Sequence, residues 1–325
     1  MEDESDSKLK EQLKDILLME IPSVNYDDII GLENAIQSIK ENVILPILYP
    51  QLFEGKRKKE KGTLFFGPPG AGKKLLLKAA YKEANSKIIW VSCAKMANKS
   101  IEEKEKLIKA LFEYANKNKP IALLFEEIEL IFGTKEESQN EEIQKLATQL
   151  LMLNLSDYSN ELIGINLLAT SQNPWDLLPP IRRRFGNTYY ISLPETKDRK
   201  MMIKYNLKNK YNIITEDQFD KLGELTEGYS YSDINNLLQE VINISEEKCQ
   251  NSIYFKYLDE NHIIPCMQKE QGSFEIKNKD TYDKKNLITP IVIYEYCIIS
   301  LQKIKPTVSK TILEKYEKFN KGKAY

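Results

Sequence analysis

Thr63-Leu64-Phe65-Phe66-Gly67-Pro68-Pro69-Gly70-Ala71-Gly72-Lys73 reads as a short buried strand running into a glycine-rich turn. The residues after it, Lys73 to Asn85, carry helical periodicity. That strand–turn–helix context is what gives the pattern GxxxxGK its meaning as a phosphate loop. The glycines let the backbone curl until successive N–H groups point inward at phosphate oxygens, and the helix N-terminus adds partial positive charge. Gly67, Pro68, Pro69, Gly70, Ala71 and Gly72 are therefore expected to cradle a nucleotide, with Lys73 reaching its outer phosphates. One position departs from the pattern. Where a Ser or Thr hydroxyl would ligate Mg²⁺, the chain has Lys74, whose ammonium has donors only and cannot coordinate a cation. Two outcomes are open for Lys74: it swings away to solvent, leaving Mg²⁺ to the phosphates, water and Glu126, or it stands near the metal position paired with Glu126 and the phosphates. The second is favoured, since a phosphate-lined site offers it better partners than water.

Outward from the loop, apolar runs alternate with helical ones. Strands are expected at Ile88–Val91, Ile121–Phe125 and Ile163–Ala169, and helices at Glu103–Asn116 and Glu141–Leu153. Short apolar strands separated by helices predict an α/β fold with a parallel sheet covered on both faces. The strand Ile121–Phe125 ends in Glu126-Glu127. In such a pair the first carboxylate holds the metal hydration shell and the second polarises the attacking water. Glu126 is thus the metal candidate and Glu127 the catalytic one.

From about Pro194 the pattern becomes helical, with helices expected over 196–209, 216–226 and 232–247. Residues 252–288 interrupt it with short β-rich runs around Pro265 and Gly272. Helices at Ile291–Lys303 and Ser309–Phe319 close the chain. The expected organisation is an acidic linker helix over 1–24, built on Leu9, Leu13, Leu17 and Leu18, then a large α/β domain over 25–193. A small helical domain over 194–325 carries the β insertion. Net charge is -1, so no overall field favours nucleic acid. Lys56-Arg57-Lys58-Lys59 is flanked by Glu54 and Glu60 and reads as a solvated loop. Four scattered cysteines without CxxC spacing argue against a zinc site or a disulfide scaffold. A single histidine excludes any His dyad. No apolar run reaches the length of a membrane span, and the acidic start is not a signal peptide.

Gly31-Leu32-Glu33-Asn34-Ala35, the phosphate loop, Asn85-Ser86, Glu105-Lys106-Leu107, Ala169-Thr170, Ile181-Arg182-Arg183-Arg184-Phe185 and Gly228-Tyr229-Ser230 resemble the AAA ATPases of the meiotic clade, which includes the katanin, spastin, fidgetin and vacuolar protein sorting ATPases. Pro265-Cys266, Gly272-Ser273-Phe274-Glu275 and Lys305-Pro306-Thr307-Val308 narrow the resemblance to the vacuolar protein sorting-associated protein 4 family. It implies an ATP- and Mg²⁺-dependent hexameric ring of like or paralogous subunits that disassembles ESCRT-III polymers, in the cytoplasm and peripherally at endosomal membranes. Asp28, Ile29, Ile30 and Gly31 would line the adenine. Arg183 and Arg184 would be arginine fingers reaching the neighbouring subunit's nucleotide, Lys99, Ser100 and Ile101 would form the pore loop, and the β insertion would dock a cofactor protein.

The departures form a pattern too. The sensor asparagine expected after Ala169-Thr170 is Ser171, one extra residue precedes Pro174-Trp175, and Asn173 would compensate if the loop bulges. The pore loop has Ser100 where an aromatic residue is usual, and Tyr231 replaces a glycine of the small domain. The family's N-terminal MIT domain is expected to be absent. The altered positions keep open a second reading, a nucleotide-binding pseudo-ATPase acting as a structural or regulatory subunit. A microtubule-severing ATPase is the third, against which the β insertion counts.

Overall fold

The computed structural model describes residues 17–18, 24–49, 62–85, 87–133, 165–183, 185–257, 262–266, 269, 271–276, 287–288 and 290–322. The chain divides into two compact units, Met1–Ser192 together with Glu314–Tyr325, and Leu193–Leu313. The expected helix Glu141–Leu153, the basic stretch 56–59 and Arg184 lie outside the described residues.

The first unit is built on six strands: β1 (Leu17–Leu18), β2 (Thr63–Phe66), β3 (Lys87–Ser92), β4 (Ile121–Glu126), β5 (Ile165–Ser171) and β6 (Asn187–Tyr190). Their order is β1-β3-β4-β5-β2-β6. All pairings are parallel except that of β1, which runs antiparallel on the β3 edge. The linker helix expected through Leu17 and Leu18 is corrected here. These two leucines are extended and pair with Val91 and Trp90, because an open sheet edge offers backbone partners that local helical periodicity cannot match.

Both sheet faces are buried, as alternation along the strands requires. Ile89, Val91, Leu123, Phe125, Leu167 and Ala169 pack with Leu107, Leu111 and Phe112 of the helix Ile101–Lys117. Their strand neighbours Ile88, Trp90, Ala122, Leu124 and Leu168 pack on the other face with Leu76, Leu77, Ala80 and Tyr81 of the helix Lys73–Glu83. The apolar runs are near-continuous for this reason.

The closing helix differs in placement from the expected single C-terminal part. From Glu314 onward it belongs to the first unit. Tyr316 is 1% exposed and lies 4.9 Å, centroid to centroid, from Trp175 and 5.8 Å from Tyr190. Phe319 meets Phe66 edge-on at 5.3 Å, and the Lys315 ammonium lies 4.1 Å from the Trp175 centroid. The Tyr316 hydroxyl donates to the Gln172 carbonyl. Aromatic faces and one directed hydrogen bond thus hold this helix against the ends of β2, β5 and β6.

The second unit contains the helices Thr196–Leu207, Glu216–Leu225, Tyr231–Asn251 and Tyr294–Lys303. Its small sheet is formed by β7 (Tyr254–Tyr257), β8 (His262–Cys266), β9 (Phe274–Glu275) and β10 (Leu287–Ile288), in the order β10-β8-β7-β9. Gly228-Tyr229-Ser230 works structurally. The Tyr229 hydroxyl donates to Ile304 O at 2.6 Å, and Ser230 caps the helix that follows. Buried Asp233 accepts from Ser230 and from Thr307.

If Tyr316 anchors the closing helix, Tyr316→Ala should lower the unfolding free energy of the first unit by about 3 kcal/mol, the usual cost of truncating a buried aromatic side chain. Tyr316→Phe should cost about 1 kcal/mol, the worth of one hydrogen bond. Urea unfolding followed by tryptophan fluorescence measures both. Unchanged midpoints in both variants would remove the anchor.

Candidate nucleotide site

Parallel register brings the carboxyl ends of three central strands to one edge. Phe66 is level with Ser171 and Tyr190, Ser92 with Glu126, and Phe125 with Ala169. Ligands of open α/β sheets bind at this edge. The phosphate loop leaves β2 at Gly67, where a Cβ would stand 2.1 Å from the Ile191 carbonyl oxygen, so only glycine fits. Gly72, at φ 86°, turns the chain into the helix Lys73–Glu83. Lys73 folds back over the loop, its Nζ donating to Gly67 O at 2.7 Å and Pro68 O at 2.8 Å. Burial pushes its pKa down to about 8, opposed by the charges of Glu129 and Glu127. The ammonium is thus held in the loop with carbonyl oxygens as its hydrogen-bond partners among the described residues.

Glu126 and Glu127 follow directly at the end of β4. Glu127 adopts φ 57°, a left-handed conformation unusual for a residue with a side chain, and its N–H donates to Thr170 Oγ1 at 3.2 Å. Its carboxyl is raised from the usual range by burial first, then by Glu129 and Glu126. Gln172 and Lys73 oppose that shift. The Gln172 carboxamide donates to Glu127 Oε1.

That contact corrects the reading of the sensor position. Ser171 ends β5 fully buried, and its hydroxyl has no hydrogen-bond partner among the described residues. Asn173 offers its backbone N–H, not its side chain, to Glu129. The residue that reaches the carboxylate is Gln172, which the sequence reading passed over. Glu129 was missed as well. Its Oε1 accepts from Gln172 N at 2.7 Å and Asn173 N at 3.1 Å, which fixes the loop after β5. The extra residue before Pro174 was the signal available for both.

Lys74 lies where expected relative to the acidic pair, with its Nζ 2.7 Å from Glu126 Oε1. The donor set therefore does not fit a divalent cation as the ordinary motif does. The hydroxyl ligand is replaced by an ammonium, and the carboxylate that would accept the metal's water shell is engaged by it. Among the described residues no group of three His, Cys, Asp or Glu side chains converges on a metal position.

The remaining candidates are more scattered. Ile29 packs against the same cluster as Ala71 and Leu76. Gly31 is buried and Ile30 half-buried, whereas Asp28 is exposed and spends its carboxylate on Asn25 N at 2.9 Å. Arg183 is exposed at the end of the short helix Pro179–Arg182, and its neighbour Arg182 lies 5.6 Å from the Phe319 ring centroid. Ser100, between half-buried Lys99 and Ile101, is an N-cap. Its hydroxyl accepts from Glu103 N at 3.3 Å, and its N–H donates to Glu103 Oε2 at 3.1 Å. The helix accordingly starts at Ile101, two residues earlier than expected.

Comparison with known proteins agrees with this arrangement. Residues 63–193 match the family described as ATPase family associated with various cellular activities (AAA). Residues 263–322 match the Vps4 C terminal oligomerisation domain. The chain is 36% identical over 330 residues to vacuolar protein sorting-associated protein 4B of Pongo abelii, spanning 98% of this chain and 74% of that one. It is 34% identical to vacuolar protein sorting-associated protein 4A of Homo sapiens, over 96% and 74% of the two chains. Among solved structures, the FIGL-1 AAA domain in complex with ADP superposes with a TM-score of 0.76 at 24% identity, covering 98% of this chain and 97% of that one, a likeness of fold. The strand edge and its phosphate loop define a nucleotide-binding AAA protein. The chain belongs to the vacuolar protein sorting-associated protein 4 family of AAA ATPases.

The depressed pKa of Lys73 has a measurable consequence. A bound polyphosphate favours the ammonium and raises that pKa, so nucleotide binding should take up protons once the pH exceeds about 8 and almost none near pH 7. Affinity should fall as pH rises through the same range. Calorimetry in buffers of different ionisation enthalpy reads the proton count directly. Equal counts at pH 7 and pH 9 would exclude this role for Lys73.

Proposed function

We propose that the protein couples ATP binding and hydrolysis to the disassembly of ESCRT-III-type polymers, working as one subunit of a hexameric ring in vacuolar and endosomal sorting. The observation that carries the catalytic half of this reading is the neighbourhood of Lys73 and Glu127. The ammonium sits in the phosphate loop, and the carboxylate stands on the adjoining strand ends, close enough for each to shift the other's protonation. Lys73 would hold the outer phosphates, with the N–H groups of Gly70 and Gly72 beside them; Pro68 and Pro69 carry no N–H, and those of Gly67 and Ala71 donate to Ser171 O and Pro68 O. Glu127 would accept the proton of the attacking water, and Gln172 would keep its carboxylate aimed and ionised. Arg183, exposed at the end of its helix, and Arg184 would act on the nucleotide of the next subunit, their planar forks matching phosphate oxygens. Family membership and the C-terminal oligomerisation match support the polymer substrate and the ring. The adenine-lining role of Asp28, Ile29, Ile30 and Gly31, the pore-loop role of Lys99, Ser100 and Ile101, and the docking of a cofactor protein on β7 to β10 belong to the same proposal.

A second reading, a subunit that binds nucleotide without turning it over beside an active paralogue, is favoured by the Lys74–Glu126 ion pair. Steady-state ATPase measurements across protein concentration separate the two. For the first reading, activity per subunit should rise with concentration, vanish in Glu127→Gln and collapse in Arg183→Ala. Preformed ESCRT-III polymer should become soluble only with ATP. No turnover at any concentration, with nucleotide binding intact, would establish the second.

Gln172 gives a sharper test of the site itself. Gln172→Ala should lower kcat on the order of tenfold, a fraction of what a positioned base supplies, with little change in nucleotide affinity. A fall in affinity with kcat preserved would assign Gln172 to ligand binding instead.

A further inference from the structure

The helix Lys73–Glu83 begins with two adjacent lysines and has no acidic residue in its first turn. A helix N-terminus already carries partial positive charge, and cations placed there are unfavourable. Among the described residues Lys73 donates to loop carbonyls. Lys74 has Glu126 at 2.7 Å in a bridge whose ammonium end is half exposed, 50% against 27% for the carboxylate. Pairs this open contribute little to stability, so fold stability does not account for a lysine at this point. Lys78 stands one turn further on the same face, and its ammonium, like that of Lys74, lies within 6 Å of the Trp90 ring centroid, at 5.8 Å and 5.7 Å. The start of this helix therefore concentrates positive charge directly after the phosphate loop.

We propose that the Lys74 ammonium is a built-in substitute for the divalent cation, so that the site takes a nucleoside polyphosphate as the free anion and not as its metal complex. In the ordinary motif a hydroxyl at this position and the carboxylate at the end of the neighbouring strand share a dication that neutralises the outer phosphates. Here the same two positions hold a tethered monocation, already anchored to that carboxylate. The polyphosphate meets it as an anion meets any fixed ammonium, by charge-assisted hydrogen bonds. A dication entering the same space would face Lys74 at close range and would have to take Glu126 from it. Binding thus needs no metal, and added metal competes with Lys74 for Glu126. This inference rests on the nucleotide reading of the loop and fails in a distinguishable way.

The experiment measures the affinity of the full chain for a fluorescent ATP analogue, once in excess Mg²⁺ and once in EDTA. The unmodified protein should bind about tenfold or more tightly in EDTA than in excess Mg²⁺, where nearly all of the nucleotide is the metal complex. Lys74→Ser restores the hydroxyl, and since the native side chain is half exposed the fold is not at risk. This variant should weaken by about tenfold or more in EDTA and recover in Mg²⁺, because each factor of ten is about the loss of one good charge-assisted contact. Glu126→Gln frees the ammonium and should bind at least as tightly as the parent in EDTA. Binding of the unmodified protein only when Mg²⁺ is present overturns the inference and leaves the nucleotide reading standing. No binding in either buffer overturns both. A Lys74→Ser protein that matches the parent in both buffers removes Lys74 from the site.

Discussion

The parallel register of β4, β5 and β2 is the constraint from which the rest of the first unit follows. In-phase pairing ends the three strands within a residue or two of one another. The groups that follow, the loop after Phe66, the acidic run after Phe125 and the turn after Ser171, are then forced into one small volume. A slip of one residue in any pairing would turn buried side chains outward and separate these groups by a strand repeat. The two apolar layers hold the register. The apolar residues Leu123, Phe125, Leu167 and Ala169 fill one layer and Ala122, Leu124 and Leu168 the other, so no neighbouring register satisfies both layers.

Much of this was legible in advance, and for physical reasons. The phosphate loop announces itself because few residues other than glycine tolerate the turn at Gly67 and Gly72, and the strands because a sheet covered on both faces needs continuous apolar runs. What failed to read through was decided by distance or by strand phase. Leu17 and Leu18 carry helical spacing but lie against β3, a partner more than 70 residues away. Ser171 and Gln172 differ by one step of the pleat. The first faces the interior and the second the carboxylate, and motif spacing does not reveal on which residue a strand with an added residue ends. Ser100 is different. The pattern Ser100-Ile101-Glu102-Glu103 is a local capping signal, legible in the sequence but read only as a changed pore loop.

The site is electrostatically crowded. Glu126, Glu127 and Glu129 stand on one short segment opposite Lys73 and Lys74, and the charges are partitioned. Lys74 takes Glu126, Glu129 is committed to two backbone N–H groups, and Glu127 is left with the Gln172 carboxamide. Of the three, the carboxylate in the strained backbone conformation is also the one met by a neutral side chain. Strain of this kind persists where surrounding structure over-determines it, and here the Thr170 hydroxyl and carbonyl supply the determination.

The Tyr316 hydroxyl meets the carbonyl of a residue 144 positions earlier in the chain, and that residue's side chain is the one on Glu127. During synthesis the phosphate loop, the acidic run and the turn after β5 all emerge well before Tyr316 does. Until the helix Lys310–Lys321 has left the ribosome and docked, Trp175 lacks its aromatic partner and the turn bearing Gln172 lacks its outer support. A nascent chain can therefore close its phosphate loop while the Glu127 carboxylate is still poorly held.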